Sequence, residues 1–562
     1  MVDQVLNSSP DPDRDAPSSA STSWLQARLG QLPTWPALGL MFLTVVLIGP
    51  SLMVWQSWFQ TDATTLDLIR QMGQSVLPDY LSTTLVVGLG VMLGAGSMGL
   101  VCATLVTLFD FPGRRWVEWG LLLPLAVPAY IVAFAYTDFL QFSGPLQTAW
   151  REWSGRQSPL WPDVRSAWGA VVVFSVTLYP YVYLLVRAAL LERASRLMAS
   201  ARLLGAGLSR RLRTIAWPMS RPALAAGLAL VMMETLADYG VASYFGIQTF
   251  SAGIFKAWLV MDEPRVAAQL SSILLLCVAA VLWMEHVARR RLRFDAQGAD
   301  ANEHQPLRLS GFTALAALVL CSMPILMGFV APAAILVKAL NQSETALAWG
   351  AFLRWSFNSL GLAAVASVLA IALALAFGSV HRWNKGRVAR AAAQWVGLGY
   401  ALPGTILVVG ILTSLSQWDS ITGMGITGWF TSTASALMWA YLIRFTAVAQ
   451  QAIQSGYTRI PPSLDEASRV LGERSFTTFW RVHAPLLKTS VLTGLLLVFV
   501  DVMKELPATL VLRPFDSDTL AVVSFQLARD ERLGEAALPA LALVVVGLLP
   551  VLLLTRAMRQ KY

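Results

Sequence analysis

Charge is scarce in this sequence. Asp, Glu, Lys and Arg make up 13% of its 562 residues, against 56% hydrophobic residues and a mean hydropathy of +0.58. A soluble chain carries about 25% charged residues, so an ordinary soluble enzyme and a disordered chain are both excluded. Cysteine is nearly absent: Cys102, Cys277 and Cys321 each sit in an apolar run, at spacings that suit neither a disulfide framework nor a zinc site. The four histidines offer no metal pair. No G-x4-G-K-[ST] phosphate loop occurs, so the chain is not expected to be its own ATPase. Residues 1–33, rich in Ser, Asp and Pro, lack the basic start of a signal peptide and read as a disordered cytoplasmic tail. What the composition leaves is an integral membrane protein.

A bilayer core needs roughly 20 apolar residues per helix. Twelve runs qualify, six at about 37–59, 83–109, 119–141, 168–190, 222–247 and 268–288, and six at about 312–337, 358–380, 394–416, 432–451, 489–512 and 536–555. Of the 42 Lys and Arg residues, 29 fall on the side that holds both termini and 11 on the other, with Arg444 and Lys504 inside spans. Positive loops stay cytoplasmic, so both termini are expected inside. This asymmetry also accounts for the net charge of +9, and no nucleic-acid partner is inferred. The polar, basic segment 289–310 reads as a linker between two halves, 34–288 and 311–562.

The halves repeat. A shift of 267 aligns Arg202, Leu204 and Gly205 with Arg469, Leu471 and Gly472, Pro218 with Pro485, and Gly227 with Gly494. It also aligns Glu234 with Asp501 and Asp238 with Glu505; further upstream a shift of 275 aligns Pro128 with Pro403. Six spans separate the copies, an even number, so the repeat is parallel, with a pseudo-two-fold axis along the membrane normal and a pathway expected between the halves. Pro124, Pro128 and Pro403 read as helix kinks, and the G-x3-G of Gly90 and Gly94 as close helix packing.

Between the fourth and fifth spans of each half lies a long cytoplasmic segment, 193–218 and 460–485. In the second, Ser463 and Glu466 suggest a capping box, Leu464, Ala467, Val470 and Leu471 line one face of a helix, and Gly472 breaks it. A second short helix is expected to end near Pro485. This arrangement resembles the EAA loop of ABC-transporter permeases, E-A-A-x3-G-x9-I-x-L-P. The second copy matches at Glu466, Ala467, Gly472 and Pro485, with Ser468, Val482 and Ala484 at the departures. The first matches at Ala201, Gly205, Ile215 and Pro218, with Ala199 for the Glu, Ser200 for the Ala and Trp217 for the Leu.

The resemblance covers about 83–285 and 358–556 and implies an all-α type I permease of about twelve transmembrane helices in two parallel six-span repeats. It implies two ABC ATPase subunits docked on these loops, a periplasmic substrate-binding protein, a bacterial inner membrane location among lipid, no cofactor and no catalytic residue.

The fifth span of each half carries two acids at i, i+4, Glu234 with Asp238 and Asp501 with Glu505, as a helix face would. Ionisable groups at membrane depth normally face a cavity or a partner. Two readings stay open: a lining for a cationic path, or ion-paired acids at a helix end, with Lys504 positioned to neutralise one. The stretches 234–250 (ETLADYGVASYFGIQTF) and 504–515 (KELPATLVLRPF) are similar to the fused permeases of ferric-iron uptake systems. Ferric iron is thus the expected cargo, with no metal ligand assigned. Thiamine, phosphonate or polyamine on the same scaffold, and a secondary transporter or channel needing no ATPase, are the alternatives.

Overall fold

The computed structural model describes residues 35–59, 76–191, 195–290, 306–343, 348–383 and 386–559, with a few positions between 67 and 74. The tail 1–33 and linker residues 291–305 lie outside the described residues. The first half contains α1 (Trp35–Met53), α2 (Leu77–Leu108), β1 (Phe109–Asp110), α3 (Arg114–Gly120), α4 (Ala129–Leu140), α5 (Pro145–Ser154), α6 (Ala167–Ala189), α7 (Ser195–Leu203), α8 (Leu208–Ala237), α9 (Gly240–Phe245), α10 (Phe250–Phe255) and α11 (Pro264–Arg290). The second contains β2 (Leu307–Arg308), α12 (Phe312–Gln342), α13 (Trp349–Trp383), α14 (Arg387–Gly397), α15 (Gly404–Thr422), α16 (Ser435–Tyr457), α17 (Ser463–Val470), α18 (Ser475–Lys504), α19 (Pro507–Leu512), α20 (Leu520–Arg529) and α21 (Leu533–Arg559). The protein is an all-α membrane protein built from two parallel repeats.

Among the described residues, nine helices are long and apolar enough to cross a membrane, and two bent pairs bring the number to eleven. The remaining expected span, 432–451, the tenth in chain order, is α16. It is less apolar, carrying Arg444, Gln450 and Gln454, and it packs against α13 and α18.

The third spans are broken rather than kinked. The chain turns by 92° between 114–126 and 129–154, and by 116° between 388–401 and 404–422. Pro128 and Pro403 sit at these breaks with extended ψ values of 140° and 142°. Each leads a new helix, where a missing N–H costs nothing.

The fifth spans end earlier than their hydrophobicity suggests. α8 stops at Ala237 and α18 at Lys504; Asp238 (ψ 130°) and Glu505 (ψ 126°) are already extended. The reason is capping. Asp238 Oδ1 accepts from the Val241 amide at 2.8 Å, and the Glu505 carboxylate accepts from the amides of Ala508 and Thr509, both at 2.9 Å. A residue that caps the next helix takes a non-helical conformation, so it cannot also continue the previous one.

The repeat extends to small contacts. Thr249 and Thr519 cap α10 and α20, and the first amides of these helices, Phe250 and Leu520, donate to Thr84 and Ser359. Those two hydroxyls align under the 275 shift. The first helix of each half crosses to the other: α1 packs on α14 and α15, with Trp439 Nε1 donating to the Val46 carbonyl at 3.0 Å, while α12 packs on α2 and α4. β1 and β2 pair in parallel and tie the end of α2 to the start of the second half. The G-x3-G of α2 does face a close neighbour, because a Cβ on Gly94 would collide with Ser175 Oγ of α6.

Candidate functional site: paired elbows and a cavity between the halves

Each segment between the fourth and fifth spans is a helix, a glycine and a second helix. Gly205 and Gly472 have φ of +76° and +78°. Both close the same Schellman motif: the Gly205 and Gly472 amides donate to Arg202 and Arg469, and the next amides, Ala206 and Glu473, to Ala201 and Ser468. Nothing lies within 4 Å of a Cβ built on either glycine. Backbone conformation alone therefore demands glycine here.

Two expectations about this segment are corrected. The Ser463–Glu466 capping box is absent: Pro462 occupies the N-cap, without a side-chain cap, and Ser463 is already helical. Pro462 holds φ at −60°, a value proline supplies without help from a capping side chain. Nor does the second helix end at Pro218 or Pro485. It passes through π turns at Leu212–Ala216 and Phe479–His483, which contain Ile215 and Val482, and continues into α8 and α18. A proline crowds the carbonyl four residues back in an α-helix; a wider π turn before it relieves that contact.

The apolar side chains of both elbows are uncovered. Leu203 and Leu204 are 90% and 87% exposed, Val470 and Leu471 88% and 80%. The second elbow is braced to the end of α13. Asp465 pairs with Arg382 at 2.7 Å and with fully buried His483 at 2.7 Å, and Arg382 also donates to the carbonyls of Tyr457 and Ile460. The His483 ring stacks on Trp383. Ser468, one of the departures from the family pattern, bonds Thr478 at 2.5 Å and joins the two helices across the glycine. In the first half the positions aligned with Asp465 and His483 are Met198 and Ala216, both buried apolar groups. Asp465 and Arg382 are partly buried, so breaking their pair costs more than the roughly 0–1 kcal/mol of a surface pair, the more so because His483 loses the same partner. Asp465→Ala is therefore expected to lower the thermal midpoint of the purified protein by several degrees, while Glu466→Ala, at an exposed position, leaves it unchanged.

α8 and α18 lead from the elbows to a cavity of about 380 Å³ between the halves, lined by all four acids together with Lys504 and Arg444. The acids divide into two kinds. Asp238 and Glu505 are the helix caps described above. Glu505 lies 3.7 Å from Arg444, so its ion partner is Arg444 and not the adjacent Lys504. Lys504 Nζ instead donates to the Leu125 carbonyl at 2.8 Å. The i, i+4 pairs do not share one helix face, because each helix ends between them. Glu234 and Asp501 remain within the helices, one in each half. Tyr400 OH donates to Glu234 at 2.8 Å across the interface. Tyr400 and Leu125 are themselves aligned under the 275 shift, so both bridges join the segment before a broken third span to the fifth span of the other half. No three His, Cys, Asp or Glu side chains among the described residues come together as a metal cluster.

The sequence profile described as "Binding-protein-dependent transport system inner membrane component" matches residues 95–293 and 370–561. The chain belongs to this family. Its two matched segments contain both elbows and all four acids, whereas the crossing helices α1 and α12 lie outside them. The Fe(3+)-transport system permease protein FbpB 2 of Haemophilus influenzae is 23% identical over 92% of this chain and 97% of its own length. The ferric transport system permease protein FbpB of Actinobacillus pleuropneumoniae is 24% identical over 84% of this chain and 63% of its own. The sulfate transport system permease protein CysW of Escherichia coli is 27% identical over 37% of this chain and 70% of its own.

Sequence reasoning missed Tyr181 and Tyr400 on the cavity wall, the Arg444 partnership and the Arg382 brace. Arg444 carried a usable signal, since a cation inside an apolar span requires a partner. The tyrosines carried none, because they become neighbours only when the halves meet.

Proposed function

We propose that the protein is the permease subunit of an ABC importer that moves ferric iron, delivered by a periplasmic binding protein and driven by two separate ATPase subunits. The observation that carries the cargo is the lining at the seam of the halves: Glu234 and Asp501 with Tyr181 and Tyr400, all oxygen donors. A hard trivalent cation favours such donors, and two relatives matched over 92% and 84% of the chain are ferric permeases by name. The acids serve passage rather than storage.

In this reading the ATPases seat on the exposed Leu203–Leu204 and Val470–Leu471 tips, next to Ala199, Ala201, Glu466 and Ala467. From Leu208 and Ser475 each fifth helix runs 30 residues to the cavity, a rod of about 45 Å. Glu234 and Asp501 lie three residues from the ends of these rods. Closure of the ATPases on ATP moves the elbows, and each continuous rod carries that displacement to one wall of the cavity. The halves thus rock about a central site that alternates its access.

Reconstitution with ATPase and binding protein tests the cargo: ATP-dependent uptake of ferric iron is expected, and uptake of thiamine or sulfate without iron would overturn it. Orientation is tested separately in a variant lacking the native cysteines. Single cysteines at 60–82 or 417–431 are expected to react from outside intact cells, and those at 293–308 only after permeabilisation.

A further inference from the structure

A second cavity, of about 810 Å³, opens where the end of α13, the start of α14 and the elbow helix α17 meet. Its wall includes His381, Trp383, Arg390, Glu466 and Arg469. Arg382 and Asp465 also border it but are occupied with each other. Arg390 and Arg469 are exposed, and neither forms an ion pair among the described residues. The Nδ1 of His381 is buried without a hydrogen-bond partner there. The cavity therefore presents two unpaired guanidinium groups and an unsatisfied imidazole nitrogen against one carboxylate.

Its position supplies the second half of the argument. α14 buries Ala389, Ala392, Ala393 and Val396 on one side and exposes Trp395 on the other. Tryptophan concentrates at headgroup level; Trp383 lines the cavity and Trp395 is exposed on α14, the helix that supplies Arg390. The faces of α17 separate cleanly. Asp465, Glu466 and Arg469 turn to the cavity, while Leu464 and Leu471 are exposed elsewhere on the elbow. In the first half the positions aligned with His381, Trp383, Asp465 and Glu466 are Val106, Leu108, Met198 and Ala199, whereas Arg390 and Arg469 align with Arg115 and Arg202; the arginines recur, but the imidazole, the indole and the carboxylates around them belong to the second half alone.

We propose that this cavity holds the headgroup of an anionic phospholipid of the cytoplasmic leaflet, its phosphate between Arg390 and Arg469, and that the occupant wedges the second elbow against α13. The cytoplasmic placement rests on the proposed orientation; lipid binding in detergent does not, so labelling and binding fail independently. Arginine pairs with phosphate by parallel N–H bonds, and basic cavities beside membrane helices recognise anionic headgroups.

The test uses the full-length protein purified in detergent and supplied with phosphatidylglycerol or phosphatidylcholine, with retained lipid counted by native mass spectrometry. Selective retention of phosphatidylglycerol is expected, with about a tenfold loss of affinity in the R390A/R469A double variant. The aligned first-half double variant R115A/R202A is expected to retain it as the parent does. Both arginines are exposed, so a normal gel-filtration profile is expected throughout. Equal retention of the two lipids, or undiminished retention by R390A/R469A, would overturn the proposal. Binding of inorganic phosphate that phosphatidylglycerol fails to displace would also overturn it, by assigning the cavity to a soluble anion.

Discussion

Gly472→Val and Gly205→Val are each expected to abolish uptake while the protein still inserts at normal level. The two glycines hold φ near +77°, and the space around them is empty. A left-handed conformation costs an ordinary residue about 1–2 kcal/mol, and more for a β-branched one. That strain is too small to unfold a protein whose stability is about 5–15 kcal/mol. It is large enough to reopen the elbow, because the Schellman bonds to Arg202 and Arg469 depend on this one residue. The same logic separates side-chain size from backbone conformation. Asparagine tolerates the left-handed region, so Gly472→Asn should keep most of the uptake although it is larger than alanine. Uptake and ATPase co-purification, measured with membrane level, distinguish the cases. If Val and Asn behave alike, the turn is not what couples the elbow.

The acids of the cavity are expected to part into two classes when neutralised. Glu505→Ala should sharply reduce the amount of folded protein. It removes the carboxylate that caps Ala508 and Thr509 and leaves Arg444 without its partner. Cap loss costs about 0.5–2 kcal/mol and a stranded buried charge about 3–5 kcal/mol, together a large share of ordinary stability. Asp238→Asn keeps an accepting oxygen for Val241 and should fold normally. Glu234→Gln likewise still accepts from Tyr400, so the interface bridge survives and only the charge is lost. Asp501 attracts Lys504 three residues on, so D501N would strand a cation; E234Q alone should therefore insert at normal level and lose most ferric uptake. Measured in the reconstituted system, full uptake by that variant would remove the acidic path and leave the elbows untouched.

The difference between these classes was not visible along the chain. Largely apolar residues resume at 239–247 and 506–512, so periodicity sees one span where the structure has a helix, a cap and a second helix. Whether an acid lines a path or caps a turn depends on where the chain folds back, and close packing sets that point: Gly240 against Tyr130 of its own half and Leu506 across the seam, and Gly404 against Glu505 within the second half.

Local and periodic features were legible from the sequence alone: the apolar runs, the parallel repeat, the charge asymmetry of the loops, and the two glycines that only a left-handed turn requires. Each depends on residues near one another in sequence, where spacing and conformation are coupled directly. Tertiary structure alone decided what joins distant segments. It set the exchange of α1 and α12 between halves, the Tyr400–Glu234 and Lys504–Leu125 bridges, the Arg444–Glu505 pair and the Arg382–Asp465–His483 brace. These partners lie from 18 to 379 residues apart. A buried polar group in a membrane must be satisfied by something, but the chain's own order does not say by what; only the packing of helices, within the second half for the Arg444 and Arg382 pairs and between the halves for the two bridges, brings the answer within 4 Å.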